Sequence, residues 1–66
     1  MKFIELNTFI KIKNLATTGG QAKVLIRSGA VKVNGETETR NKKKLVVGDK
    51  VEVDGKTFIL KDEEIK

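Results

Sequence analysis

Lys11, Lys13, Lys23, Arg27 and Lys32 follow one another between Leu6 and Gly35 with no acidic residue among them, and Arg40-Asn41-Lys42-Lys43-Lys44 adds a second basic cluster soon after. Residues 1–44 hold ten bases against three acids (+7) and residues 45–66 four bases against six acids (−2), which together give the net +5. The positive field thus belongs to one part of a small body, the electrostatic footprint of a phosphate-rich ligand. Bond-breaking chemistry finds little here. The chain has no histidine and no cysteine, so the commonest general base and the readily activated thiol are missing. Asp49 and Asp54 sit in turn contexts, and no carboxylate cluster suggests a metal. The expectation is a binding module with no cofactor, no metal and no enzymatic activity.

A chain of 66 residues has room for one domain, residues 1–66, and a domain of this size buries only about 60% of its unfolded surface. Its stability margin should be thin. Without cysteine there is neither a disulfide frame nor the usual mark of secretion. Apolar runs such as Val24-Leu25-Ile26 and Phe58-Ile59-Leu60 span three residues, far short of a membrane span or signal-peptide core. A cytoplasmic protein with no membrane partner is expected, and a monomer. Three phenylalanines with no tryptophan or tyrosine limit base-stacking surfaces. So small a domain needs Phe3, Phe9 and Phe58 in its core.

The elements that must position the cations follow from pattern. Residues 1–5 alternate loosely and read as a short strand; Asn7 or Thr8 then offers an N-cap for a helix running from Phe9 to Leu15. Thr17-Thr18-Gly19-Gly20 breaks that helix and supplies fresh capping hydroxyls. A second helix from about Gly20 to Ser28 sets Ala22, Leu25 and Ile26 on one side, with Lys23 and Arg27 on the wet side. Gly29 occupies the left-handed position that would end it. Val31-Lys32-Val33 alternates as a strand, and Asn34-Gly35 predicts a type I′ hairpin returning through Glu36 to Thr39. Gly48-Asp49-Lys50 and Asp54-Gly55 mark turns around Val51-Glu52-Val53, before a strand from Thr57 to Leu60. The charged tail, residues 61–66, should fray. The fold class is α+β, two short helices packed on a small twisted, mostly antiparallel sheet.

Taken together, Thr18-Gly19-Gly20-Gln21-Ala22-Lys23, Gly29-Ala30-Val31-Lys32-Val33-Asn34-Gly35-Glu36, Arg40 with Lys43-Lys44-Leu45, and Gly48-Asp49-Lys50-Val51-Glu52-Val53 resemble the S-four-like RNA-binding domain, named for the fourth protein of the small ribosomal subunit. The likeness covers roughly residues 9–53 and is nearest to the family's small free-standing bacterial members. It implies a compact alpha-L fold whose helices and hairpin form one basic face for structured RNA, ribosomal or transfer RNA in a ribosome-related setting. Gly19-Gly20 departs from the family's commoner Ser-Arg pair at the start of the second helix. A phosphate-contacting arginine is absent there, and backbone amides are the substitute.

On that reading Gly20 and Gln21 stand at a helix N-terminus, where free N–H groups and the positive end of the helix dipole attract a phosphate. Lys23 and Arg27 extend the track along the helix, Lys11 and Lys13 join from the first helix, and Lys32, Asn34 and Arg40 contribute from the hairpin. Lys42, Lys43 and Lys44 follow the phosphate backbone from a loop, while Arg27 and Arg40, with planar forks, would fix orientation. Duplex RNA hides its base edges, so such a face reads shape and charge. Other readings stay open at this point. The lysine run could be a solubilising surface, Lys23 and Arg27 the wet side of an ordinary helix, and Gly19-Gly20 only a turn. The whole face could instead dock on an acidic protein or bind nucleic acid, DNA included, without preference.

Overall fold

The computed structural model describes residues 2–64. In chain order, β1 (Ile4–Glu5) leads directly into α1 (Leu6–Ile12), α2 (Gly19–Arg27) follows, and then come β2 (Val31–Val33), β3 (Glu36–Thr37), β4 (Lys44–Leu45), β5 (Lys50–Val53) and β6 (Lys56–Ile59). β3-β2-β5-β6 form one sheet and β1-β4 a small second one. Every strand pair among the described residues is antiparallel, so the α+β expectation holds.

The helices exist because their apolar residues recur at helical spacing. Leu6, Phe9 and Ile10 on α1 and Ala22 and Ile26 on α2 are buried, and they meet Val31, Val33, Leu45, Val51, Val53 and Leu60 from the strands and from the segment after β6. Full burial of one such side chain contributes about 1.5–3 kcal/mol, so a handful of them carries most of this small core. Strand alternation does the rest, with Val31 and Val33 inward and Lys32 outward.

The first helix differs from the sequence expectation at both ends. It begins at Leu6 with Glu5 as an N-cap that makes no side-chain bond, because the amides of Leu6 and Asn7 donate instead to the carbonyls of Lys43 (2.8 Å) and Asn41 (3.0 Å). A non-local loop does the work of a cap. It stops at Ile12 rather than Leu15. Asn14 takes a left-handed φ of 58°, and the amides of Leu15 and Asn14 bond back to Ile10 and Lys11, both at 3.0 Å, a Schellman ending with asparagine in place of glycine.

Local turn chemistry otherwise behaves as read. Thr18 caps α2 by accepting from the Gln21 amide at 3.1 Å, and Gly29 at φ 86° follows its last turn. Asn34-Gly35 and Asp54-Gly55 both hold two consecutive positive φ values, the type I′ requirement for a two-residue hairpin. The return strand is shorter than expected, Glu36–Thr37, although the Glu38 amide still donates to Val31 at 2.9 Å. Asp62–Glu64 form one 3-10 turn where a frayed tail was expected. The part of that expectation on residues 65 and 66 lies outside the described residues.

Of the aromatics, Phe9 is fully buried and Phe58 packs partly buried against the core. Phe3 is not a core residue. It remains 40% exposed, because the strand alternation that turns Ile4 inward turns its neighbour out.

Candidate nucleic-acid interface

Residues 40–44 are bound to the body through their backbone. The carbonyls of Asn41 and Lys43 receive the α1 amides, and β4 pairs with β1 in the register Ile4↔Leu45 and Glu5↔Lys44. Main-chain bonding of this kind leaves the long side chains outside. Arg40, Lys42, Lys43 and Lys44 line one surface hollow of about 540 Å³, so the structure brings these four expected residues together.

Arg40 is not idle there. Its Nε donates to Glu38 Oε2 at 2.9 Å, its Nη2 to Oε1 at 3.2 Å, and its backbone amide to Oε2 at 3.0 Å. The side-chain hydrogen bond from Arg40 is the main cause holding the Glu38 carboxyl below its usual value, and the same bond raises the Arg40 guanidinium. One edge of the planar fork is therefore occupied within the chain, and the remaining N–H groups of this largely exposed side chain are left for a ligand. Next door, Val33, Asn34, Glu36, Glu38, Arg40 and Lys43 line a second hollow of mixed charge.

The hairpin offers less than the sequence suggested. Asn34 turns its side chain into an internal clasp, donating through Nδ2 to Asp49 Oδ1 at 3.2 Å and accepting from the Lys50 amide at 3.0 Å. Asp49 Oδ2 in turn accepts from the Val46 amide at 2.9 Å, so one carboxylate ties the β4–β5 turn to the β2–β3 hairpin. Lys32 points away from the core and stands directly across from Glu52 in the ladder. Arg40 and Lys32 thus each have an acidic neighbour.

Neither helix contains an acid, although Glu5 stands at the N-cap of α1. Lys11, Lys23 and Arg27 are exposed, with Lys23 and Arg27 one turn apart on α2. Lys13 is half-buried with its ammonium over the rings of Phe9 (5.6 Å) and Phe58 (5.9 Å), an arrangement that draws it toward the core surface. At the start of α2 the Gln21 amide is spent on Thr18, and the Gln21 side chain accepts from the Thr17 amide at 2.9 Å. The amides of Gly19 and Gly20, the first of the helix, have no carbonyl within it to bond. A Cβ at Gly19 would meet nothing within 4 Å and one at Gly20 only the Thr18 hydroxyl at 3.8 Å. Both lie in ordinary helical backbone, so neither crowding nor positive φ calls for glycine, which costs about 1 kcal/mol against alanine in a helix. What glycine leaves there is open access to the backbone.

The two cationic groups are linked through α1. Its first amides hold the loop and its body packs on α2. Along α2 itself runs a mainly apolar hollow lined by Leu15, Ala16, Val24 and Leu25 with Thr18, Gly20, Gln21 and Ser28. Sequence reasoning missed the Arg40–Glu38 pair, the Asn34–Asp49 clasp and the exposure of Phe3. A signal existed for the first, an acid two residues before the arginine. Among the described residues no group of three potential ligands could hold a metal ion, and no helix is long and apolar enough to cross a membrane.

Comparison with known proteins places this geometry in context. The sequence model of one family, described as the S4 domain, matches residues 1–61. A protein of Escherichia coli (strain K12), YbcJ, named as a candidate RNA-binding protein, is 40% identical over 52 residues, covering 79% of this chain and 74% of that protein. RlbA of Bacillus subtilis (strain 168), named as a candidate ribosome maturation protein, is 39% identical over 54 residues, 82% of this chain and 76% of its own.

Proposed function

Because this chain belongs to the S4 domain family, whose model spans residues 1–61, we propose that it binds structured RNA in a ribosome-related setting, in the cytoplasm and without catalysis. The observation that carries the reading is the hollow lined by Arg40, Lys42, Lys43 and Lys44, held to the start of α1 by main-chain bonds so that its cations are presented together. Lys23 and Arg27 on α2, the open amides of Gly19 and Gly20, and exposed Lys11 extend the positive surface along the two helices, which contain no acid. Gln21 serves this surface as part of the α2 cap. Lys13, Lys32 and Asn34 contribute less, since partial burial against two rings, Glu52 and the Asp49 clasp respectively engage them. Ribosomal or transfer RNA is the ligand class that such a shape- and phosphate-reading surface suits.

The test is a binding series with a structured RNA, a DNA duplex of matching length and an acidic polypeptide across a range of salt. The RNA should bind best, with affinity falling at a slope of about −0.7 to −0.9 per phosphate contact. Lys42→Gln/Lys43→Gln should flatten that slope by about 1.4–1.8, whereas Lys56→Glu, on the β5–β6 hairpin, should leave RNA binding unchanged. Equal affinity for all three ligands would defeat the RNA reading, and equal loss from the Lys56 variant would defeat the location.

A further inference from the structure

We propose that Phe3 is a stacking platform for one unpaired base of the bound RNA, the phosphates beside that base lying on Lys44 and the basic loop. The inference rests on the RNA reading above and adds a ligand feature to it, a bulged or looped-out nucleotide next to a helical stem. Phe3 stands apart from the other two phenylalanines, for Phe9 and Phe58 join the core while Phe3 keeps 40% of its surface exposed. Its ring is not a loose one. Ile4, the next residue, is buried and paired with fully buried Leu45, and the neighbouring pair is Glu5 with Lys44. The ring thus rides on a short ladder anchored in the core.

The chemistry around it is that of a nucleotide site. The Lys44 ammonium lies over one face of the ring, 5.0 Å from its centroid, within cation–π range. A base therefore takes the opposite face or displaces the ammonium toward its phosphate. Lys44 also lines the hollow of Arg40, Lys42 and Lys43. A planar apolar face beside several cations suits a ligand that is itself a planar ring joined to an anion. An unpaired nucleotide answers both demands, and every base has the π-face required. A fully paired stem answers only the second, because its bases are stacked on one another. Half-buried Glu5 is the cross-strand partner of Lys44 on the same face of the ladder, so the phosphates must lie on the Lys42 and Lys43 side of Lys44, clear of that carboxylate.

The experiment compares a short RNA hairpin carrying one bulged 2-aminopurine in its stem with the same hairpin fully paired. Phe3→Ala and Phe3→Leu should each weaken the bulged RNA about 5- to 150-fold, the range of one base–aromatic stack, and change the paired RNA less than about twofold. Phe3→Leu keeps apolar bulk, so a loss shared with Phe3→Ala belongs to the π-face rather than to folding, which a melting curve of each variant checks. Since the chain has no tryptophan, Phe3→Trp supplies a lone reporter whose emission should be quenched by the bulged RNA and not by the paired one. Equal effects of Phe3→Ala on both RNAs, or no quenching while the bulged RNA binds, would overturn the stacking role and leave the RNA reading standing. Failure of the unaltered protein to bind either RNA in a salt-dependent way would remove both.

Discussion

Glu38→Gln should tighten RNA binding, although it deletes the Arg40–Glu38 ion pair. The Glu38 carboxylate takes three hydrogen bonds from Arg40 and occupies one edge of its guanidinium at the rim of the basic hollow. It therefore does two things against a phosphate, repelling it and competing for the same fork. For a phosphate taken to sit about 7 Å from that carboxylate the repulsion is roughly 0.6 kcal/mol in salt-free water and about half that at 0.1 M salt, an effect of about 1.5- to 2-fold on affinity. Freeing the fork adds a further contact and should steepen the salt slope by about 0.7–0.9. The combined expectation is a three- to tenfold gain at about 0.1 M salt. Stability should fall by no more than about 1 kcal/mol, because glutamine keeps an acceptor oxygen for the fork. Arg40 is also 71% exposed, although Glu38 is only 13% so. Fluorescence anisotropy with a labelled RNA hairpin at four or five salt concentrations reads both numbers, with Asp62→Asn as the control for bulk charge. Weaker binding, at an unchanged slope, would refute the reasoning and would mean that Glu38 holds Arg40 ready rather than holding it back.

Three further outcomes are expected. Asp49→Ala removes the acceptor for the Val46 amide and for Asn34 Nδ2, at a cost of about 2 kcal/mol; a thermal melt should show a midpoint roughly 8–16 °C lower, and a shift under about 3 °C would mean that the clasp is not stabilising. Thr18→Ala deletes the α2 cap and should cost about 1 kcal/mol, measurable by urea titration, with Thr18→Asp close to neutral. The Glu38 carboxyl is depressed in the fold from an ordinary value of 4.5, so its contribution is complete above that pH and disappears as the pH falls through the lower folded value. The stability difference between the native chain and Glu38→Gln should accordingly be constant near neutrality and close in the acid range below 4.5.

Much of the framework was readable along the chain, because it is written in residues whose reach is a few positions. Asn34-Gly35 must turn where both φ values are positive, Thr17-Thr18 supply the capping hydroxyls of which the fold uses Thr18, and Gly29 must end the helix. The alternation of Val31-Lys32-Val33 and of Val51-Glu52-Val53 assigns their faces without any partner being known. The excess of cations in residues 1–44, and with it the anionic class of ligand proposed here, also needs no coordinates.

Where those cations point was another matter. Lys13 came to rest over two rings, Asn34 was claimed by an aspartate 15 positions away, Lys32 met Glu52 across the sheet, and α1 took its cap from a loop more than thirty residues downstream. Phe3 stayed outside because Ile4, its neighbour, had the inward place and the alternation of extended backbone turned Phe3 the other way. Turns and caps obey backbone sterics and hydrogen bonds between near neighbours, which any window of the chain contains. The partner of a charge depends on which distant segments packing brings within a few ångströms, and that is settled by the core as a whole.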